Sequence, residues 1–288
     1  MCKEFLLRQG SRESETADLT LWFRQHICGA AHPTAAIQNA IGSQTMPASH
    51  AIQKLGLVIP TLNEAGNIEP LLERVRASLD PLGISYEVLI VDDGSVDGTQ
   101  EAAQRCSERD QRVRLLVRYD EKGLAGAVIH GWKHTDADLL GVMDADLQHP
   151  PEVLPALVAA IVAGNDIAVG SRYTQSKRVE GWNPFRQAVS TISTMVTRPF
   201  QRKVRVNDPM SGFFMVRRDS IEGIRLQPQG FKILLEILVR GRIRSAAEVP
   251  FQFGIRNAGK SKADLRVALH YFSLLGKLSR DLIFKGQQ

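Results

Sequence analysis

The stretch Val142-Met143-Asp144-Ala145-Asp146-Leu147-Gln148-His149 joins an apolar run to two carboxylates that lie two residues apart. The apolar residues 139–143 are typical of a buried strand. In extended chain, residues i and i+2 point the same way, so Asp144 and Asp146 can converge on one ion. Such oxygen ligands suit Mg²⁺ or Mn²⁺ holding a diphosphate. The alternative is an ordinary strand-to-helix turn, in which one aspartate caps the helix that begins near Pro151.

On both sides of this stretch, strand and helix patterns alternate from Leu55 onward. Five strands are predicted, over residues 55–60, 86–91, 113–118, 139–143 and 166–170, with helices over 66–79, 97–109, 124–134 and 151–163. This alternation indicates an α/β fold with parallel β-α-β units, in which helices cover both faces of one sheet. Ligands of such sheets bind at the carboxyl ends of the strands, where the polar clusters fall.

The composition limits the classes of function. The chain has 288 residues, of which 43% are hydrophobic, and a net charge of +5, which favours an anionic partner such as a nucleotide, a nucleic acid or a membrane surface. Its cysteines (Cys2, Cys28 and Cys106) have no metal-binding spacing and favour a reducing compartment. No apolar run reaches the roughly 18–20 residues that span a bilayer, and no secretory signal is recognisable.

Residues 1–50 differ from the rest of the chain. They are rich in Ser, Thr, Ala, Gln and His, and their apolar residues form no sustained pattern. We therefore expect a flexible extension, and Met46, just before the first strand, suggests that residues 1–45 reflect the choice of an upstream start codon. An intact mass that begins at Met1 in the native protein would contradict the start-codon hypothesis.

Two further clusters follow the second and third strands. Val91-Asp92-Asp93-Gly94-Ser95 suits a tight turn with a helix cap, or a carboxylate that accepts hydrogen bonds from a nucleobase. Asp93 is the candidate for the second role, and either uracil or guanine would serve as donor. Small residues at 123 and 125–127 let a helix start approach a ligand closely, although the ending of a P-loop is missing.

Five motifs occur in a fixed order: Ile59-Pro60-Thr61-Leu62-Asn63-Glu64, Val91-Asp92-Asp93-Gly94-Ser95, Glu121-Lys122-Gly123-Leu124, Asp144-Ala145-Asp146-Leu147-Gln148-His149-Pro150-Pro151 and Gly170-Ser171-Arg172-Tyr173. The set resembles the family 2 glycosyltransferases of the GT-A fold, especially the dolichol-phosphate mannose synthases and related polyprenyl-phosphate glycosyltransferases. The resemblance continues through Asp208-Pro209-Met210-Ser211-Gly212-Phe213-Phe214, Gly230-Phe231-Lys232 and Glu248-Val249-Pro250-Phe251 to Arg256 and Lys262. It implies a GT-A catalytic domain over residues 51–262, between the flexible extension over 1–50 and a C-terminal amphipathic helix over 263–288.

The resemblance also assigns roles to individual residues. The nucleotide pocket would be lined by Pro60, Leu62, Glu64, Val91, Asp93 and Lys122, together with Asp144 and Asp146. Asp144, Asp146 and Gln148 would hold Mg²⁺ or Mn²⁺ and the donor diphosphate. Phosphates would be gathered by Arg172, Arg186, Ser190, Arg256 and Lys262, and the catalytic residues would be Asp146, Arg172 and Arg256. Relatives often carry tyrosine where Leu62 stands, so an aromatic contact to the nucleotide is absent.

The chemistry of a lipid phosphate acceptor is consistent with these roles. A polyprenyl monophosphate, with a second pKa of about 6, is ionised near neutral pH and needs no general base. Arginines can hold it by bidentate contacts, and the metal stabilises the departing nucleoside diphosphate. Direct attack on the anomeric carbon inverts its configuration. Asp208 is either a base, as in sugar-hydroxyl transferases, or a residue that orients its loop.

A lipid acceptor also requires contact with a membrane. Residues 183–203 and 264–285 both fit amphipathic helices that lie in the interface, although packing onto the sheet is the alternative. We expect a peripheral protein at the cytoplasmic face of a membrane, with no transmembrane helix in this chain and with a separate anchoring subunit as one option.

The favoured reaction is transfer of mannose from GDP-mannose to a dolichyl or other polyprenyl monophosphate. The nearest alternative uses UDP-glucose or another UDP-sugar, because the residues do not separate the two bases. A polysaccharide synthase is disfavoured, since the Gln-x-x-Arg-Trp motif is missing. A non-catalytic nucleotide-sugar-binding subunit of a membrane complex is a further alternative. No nucleic-acid partner is expected.

Overall fold

The computed structural model describes residues 52–120, 122–172, 197–201, 204–227 and 232–252. The strands of this part are β1 (Lys54–Thr61), β2 (Ser85–Asp92), β3 (Val113–Val117), β4 (Leu139–Val142), β5 (Ile167–Ser171), β6 (Phe214–Arg217) and β7 (Ala246–Pro250). The helices are α1 (Ala65–Leu79), α2 (Thr99–Arg109), α3 (Leu124–Lys133), α4 (Leu154–Val162) and α5 (Ile233–Arg240). The predicted N-terminal extension, the C-terminal helix and most of segment 183–203 lie outside these ranges.

The strands form one seven-stranded sheet in the order β3-β2-β1-β4-β6-β5-β7 among the described residues. Only β6 runs against its neighbours, pairing antiparallel with both β4 and β5. The sheet is therefore mostly parallel, as predicted. The carboxyl ends of β1, β2, β3 and β4 lie side by side at one edge, which is where ligands bind in such folds.

Alternation along β1 shows how the sheet is covered on both faces. Leu55, Leu57 and Ile59 point into the core formed with α1, α2 and α4, whereas Val58 points into the core formed with α3 and α5. All four side chains are completely buried. Gly131 allows α3 to pack closely, since a Cβ there would lie 2.6 Å from Cγ2 of Val58. This contact fixes the helix whose first turn faces the ligand edge.

The predicted elements agree with the structure to within about two residues at each end. One difference concerns residues 151–163, which begin with a 3-10 turn (Pro151–Val153) before α4 starts at Leu154. Two prolines, at 151 and 155, occupy first-turn positions, where a missing backbone donor costs little. The strands β6 and β7 were not predicted, because short apolar runs of four or five residues carry little periodicity.

Candidate active site

The loops that follow β1 and β2 are tied into one unit by side-chain hydrogen bonds. Asn63 adopts a left-handed conformation (φ 56°) and its Oδ1 accepts the N–H of Val96 at 3.1 Å. Its own N–H donates to Oγ of Ser95 at 2.8 Å, and the N–H of Glu64 donates to Oγ1 of Thr99 at 2.8 Å. These bonds hold the Pro60-to-Glu64 motif against the Asp92-Asp93 motif.

The two neighbouring aspartates at the end of β2 have different roles. Asp92 is completely buried, and its carboxylate accepts hydrogen bonds from the backbone of Gly94 and Ser95 and from the side chains of Thr61 and Gln100. It also accepts a short hydrogen bond from the Ser95 hydroxyl. Asp92 therefore organises the loop, which is consistent with Asp93, rather than Asp92, as the predicted carboxylate for a nucleobase.

Asp93 lies between the ends of β2 and β3 and the start of α3. Its Oδ2 accepts the N–H of Gly123 at 2.7 Å, and Nε of Arg118 lies 3.3 Å from its Oδ1. Oδ1 is buried and accepts no hydrogen bond from the described residues. Burial raises the pKa of Asp93, while the Gly123 amide and Arg118 act in the opposite direction. Oδ1 of Asp93 faces the Arg118 guanidinium, so the predicted contact of this carboxylate with a base N–H stays a prediction.

The other predicted nucleotide residues lie at the same edge, with one difference. Pro60, Leu62 and Glu64 are partly buried and Lys122 is exposed, so their side chains can reach a ligand. Val91 is completely buried in the core between the sheet and α3. Only the backbone of Val91 can face a nucleotide, because its side chain packs away from the edge.

The Asp144–Gln148 turn follows β4 and presents the paired carboxylates. Oδ1 of Asp146 accepts the N–H of Gln148 at 3.1 Å, across a left-handed Leu147 (φ 62°). Asp146 is buried, Gln148 is partly buried, and 37% of the Asp144 side chain is exposed. Although this side chain is accessible, desolvation raises the pKa of Asp144, opposed by His149 and reinforced by Asp146.

Gly212 makes room for the Asp144 carboxylate. A Cβ at this position would lie 3.0 Å from Oδ1 and 3.1 Å from Oδ2 of Asp144. Any larger residue would push the carboxylate out of place. Gly212 stands within one of the ordered motifs, but no local pattern indicated this role, since the contact joins residues far apart in the chain.

The donor set around this turn fits a hard divalent cation. Within the described ranges, no group of three or more His, Cys, Asp or Glu side chains could form a metal cage. Mg²⁺ is commonly held by one or two carboxylates, with waters and substrate phosphates completing its shell. Asp144 and Asp146 supply such a pair, and 37% of the Asp144 side chain is exposed.

Arg172 is held in place by Asp208. Nε of Arg172 donates to Oδ2 of Asp208 at 2.6 Å, and Nη2 donates to Oδ1 at 2.7 Å. Asp208 is completely buried, and its own N–H donates to Oε1 of Glu248 at 3.2 Å. This bidentate pair favours the orienting role of Asp208 over that of a base, because both carboxylate oxygens are occupied.

Lys232 is a second cation of the site, and the sequence analysis gave it no role. Nζ of Lys232 donates to the carbonyl of Met210 at 3.4 Å. Burial, and then Arg172, lower its pKa to about 8, while Asp208 and Asp144 oppose the shift. The Gly230-Phe231-Lys232 motif was its only sequence signal. Lys232 thus adds positive charge opposite the Asp144 carboxylate.

We expect Lys232→Met to stabilise the protein and to weaken its activity. The pKa of Lys232 is about 8 in the folded protein, so its charged form destabilises the fold below pH 8. The cost is at most about 3 kcal/mol, since one pKa unit is worth about 1.4 kcal/mol. The variant should therefore unfold at a higher temperature at pH 7. The gain should shrink as the pH rises from 8 towards 10.5, as the folded wild type loses the proton.

Activity should fall about 10- to 100-fold in Lys232→Met, because a hydrogen bond from a charged donor contributes about 1.5–3 kcal/mol. Thermal unfolding at pH 7 and pH 10, with transfer rates, would test both effects. Lys133→Met is the matched control, because Lys133 is exposed in the last turn of α3. A variant that is less stable than the wild type at pH 7 would contradict the expectation.

Arg186, Ser190, Arg256 and Lys262 lie outside the described residues, so their predicted phosphate contacts remain predictions. In the part of the chain that the structure covers, none of the helices has the length and apolar character needed to cross a bilayer.

A mostly parallel sheet with a carboxylate pair after β4 and polar loops after β1 and β2 at the same edge is the arrangement of a glycosyltransferase with a GT-A-like fold. Residues 57–225 match the family model described as glycosyl transferase family 2, and the chain belongs to this family. The predicted family and fold are thereby confirmed.

Curated relatives support the family membership over most of the chain. A dolichol-phosphate mannosyltransferase of Pyrococcus furiosus is 45% identical over 228 residues, which cover 79% of this chain and 64% of that protein. The enzymes of the same name from Mycosarcoma maydis and Saccharomyces cerevisiae are 35% and 34% identical. The match to the M. maydis enzyme covers 78% of this chain and 78% of that enzyme. The match to the S. cerevisiae enzyme covers 77% of this chain and 85% of that enzyme. The aligned region thus spans less than two thirds of the P. furiosus protein.

Solved structures confirm the fold. The mannosyl-3-phosphoglycerate synthase of Rubrobacter xylanophilus superposes with a TM-score of 0.65 at 16% identity, over 94% of this chain and 85% of that one. The glucosyl-3-phosphoglycerate synthase of Mycobacterium tuberculosis, crystallised with Mn²⁺ and UDP-glucose, superposes with a TM-score of 0.61 at 18% identity, over 86% and 85%. At such low identities, the likeness concerns the fold alone.

Proposed function

We propose that this chain transfers mannose from GDP-mannose to a dolichyl or other polyprenyl monophosphate, with inversion at the anomeric carbon. The observation that carries the proposal is the juxtaposition of the Asp144/Asp146 pair with two partly buried cations, Arg172 and Lys232. This arrangement suits two phosphorylated substrates. The relatives at 34–45% identity, which are dolichol-phosphate mannosyltransferases, point to the same reaction.

A phosphate acceptor explains why the described site offers no ready general base. The two oxygens of Asp208 are occupied by Arg172, and His149 is buried beneath the carboxylate turn. A phosphomonoester is already anionic at neutral pH and needs only cations that hold it near the donor. Arg172, oriented by Asp208, and Lys232 supply this charge, and Arg186, Ser190, Arg256 and Lys262 are proposed to extend it.

On the donor side, Asp144 and Asp146, with Gln148, would hold Mg²⁺ or Mn²⁺. When bound, such an ion neutralises the charge that develops on the departing nucleoside diphosphate. Asp93 accepts the N–H of the base, and the Asn63–Ser95 bonds keep the two base loops together. By holding this ion, Asp144 and Asp146 would place the diphosphate next to Arg172 and Lys232.

The nearest competing reaction uses a UDP-sugar, because uracil N3–H can occupy the same Asp93 acceptor as guanine N1–H. We further propose that the protein works at the cytoplasmic face of a membrane, where a polyprenyl acceptor is embedded. A separate membrane-anchoring subunit is a proposed partner. The proposed membrane location and the proposed anchoring subunit both rest on the chemistry of the lipid acceptor and on the relatives.

The test is a transfer assay with purified protein, Mn²⁺ or Mg²⁺, a polyprenyl phosphate in detergent, and radiolabelled GDP-mannose or UDP-glucose in parallel. Label that enters the organic phase only from GDP-mannose supports the proposal. Transfer only from UDP-glucose would replace it with the glucosyl reaction. Tight nucleotide binding with no lipid product from either donor would favour a non-catalytic binding subunit. Chelation of the metal with EDTA should abolish transfer.

A further inference from the structure

His149 lies directly beneath the carboxylate turn and is fixed by two aromatic rings. Only 3% of the residue is exposed. Its ring stacks on Phe213 with a centroid distance of 5.1 Å and an interplanar angle of 18°. Phe251 packs edge-on against the same ring at 5.6 Å and against Phe213 at 5.7 Å. The three rings belong to three separate segments, so the position of His149 is set by the tertiary fold.

One ring nitrogen of His149 binds the backbone of the turn. The N–H of Asp144 donates to Nδ1 of His149 at 3.2 Å. The preceding amide, that of Met143, still belongs to the sheet, since it donates to the carbonyl of Val58. Asp144 therefore carries the first amide beyond the ladder, and His149 is its acceptor. A nitrogen that accepts carries no proton, so the ring serves in its neutral form.

The turn needs such an anchor, because it contains a strained residue. Leu147 has a φ of 62°, a conformation that is unfavourable for a side chain with a Cβ. Two of the contacts across the turn are the Gln148 N–H to Asp146 bond and the Asp144 N–H to His149 bond. Nδ1 of His149 also lies 3.6 Å from Oδ2 of Asp144. These contacts tie the two aspartates to the residues at the end of the turn.

We propose that His149 is a positioning residue. Its ring, packed against Phe213 and Phe251, accepts the hydrogen bond of the Asp144 N–H and so holds the two carboxylates in the geometry that binds a divalent cation. This inference rests on the metal site of the proposed function. The residues that support metal ligands typically change metal affinity about 10- to 100-fold when they are replaced.

Two variants separate the hydrogen-bond acceptor role of His149 from the packing of its aromatic ring. His149→Phe keeps an aromatic ring between Phe213 and Phe251 but removes the acceptor. His149→Asn keeps an acceptor one bond beyond Cγ but removes the ring. Mn²⁺ binding, measured from the EPR signal of the free ion with and without GDP, is compared with the thermal unfolding temperature of each variant.

We expect the Mn²⁺ affinity to fall in His149→Phe and the thermal stability to fall in His149→Asn. His149→Phe should weaken Mn²⁺ binding at least tenfold and unfold near the wild-type temperature. His149→Asn should unfold at a lower temperature but keep its Mn²⁺ affinity within about threefold. Wild-type affinity in His149→Phe would overturn the inference, as would losses of affinity that follow the loss of stability in both variants.

Asp144→Asn serves as the reference for a lost metal ligand. If the wild type binds no more Mn²⁺ than Asp144→Asn, the metal site of the proposed function is wrong, and the role of His149 is wrong with it. If the wild type binds Mn²⁺ and His149→Phe binds it equally well, only the role of His149 is wrong.

Discussion

Asp144→Asn should lower transfer activity about a thousandfold while the protein stays at least as stable as the wild type. A metal that neutralises the leaving diphosphate contributes several kcal/mol to the transition state, and each 1.4 kcal/mol corresponds to a factor of ten in rate. Since desolvation raises the pKa of Asp144, its charged form destabilises the fold at pH 7, and a neutral amide relieves this cost. A carboxylate whose pKa is lowered by ion pairing would instead stabilise the fold at pH 7, and its replacement by an amide would reduce stability.

Initial rates at saturating Mn²⁺, together with thermal unfolding, would test this expectation. Asp136→Asn is the matched control, because 85% of the Asp136 side chain is exposed and it precedes β4, at the opposite edge of the sheet. The control should keep wild-type activity. Activity of Asp144→Asn within tenfold of the wild type would show that this carboxylate holds no essential metal.

Asp208→Asn should destabilise the protein by about 3–5 kcal/mol and reduce its activity as well. Removing one partner of a buried ion pair leaves the other charge uncompensated, and only 14% of the Arg172 side chain is exposed. The amide also breaks one of the two parallel bonds that aim the guanidinium. Activity should fall because Arg172 is misplaced, and the acceptor phosphate should bind less tightly.

Denaturant unfolding and steady-state kinetics would separate this role from that of a general base. A positioning role raises the KM for the lipid phosphate and lowers stability, with no change in the shape of the pH–rate profile. A base would lower kcat, leave stability intact and remove an acidic limb from the profile. The second pattern would contradict the orienting role of Asp208.

The site brings two partly buried cations close to carboxylates and to each other. Arg172 pairs with Asp208, whereas Lys232 has a lowered pKa and donates to the carbonyl of Met210. Cations grouped in this way become more favourable when phosphates supply further negative charge. Neighbouring like charges with a shifted pKa are typical of binding sites rather than of structural cores.

Much of the nucleotide half of the site was predictable from sequence. The strands and helices of residues 54–171 followed from apolar runs and helical periodicity, because each pattern is repeated within a short window. The Asp144/Asp146 pair followed from the two-residue repeat of extended chain at the end of a strand. The resemblance between ordered motifs supplied the family, which the comparisons confirm.

Only the tertiary structure decided which polar residues belong together. Asp208 reaches Arg172 across 36 positions of sequence, and Gly212, just before the strand β6, lies against Asp144. No local pattern indicated the antiparallel placement of β6. Asp92 and Asp93 are adjacent in sequence, yet loop amides bind the first, whereas the second contacts Gly123 and Arg118. Local sequence determines periodicity, but burial and hydrogen-bond partners arise from distant segments, and these set the charge and the orientation of each functional group.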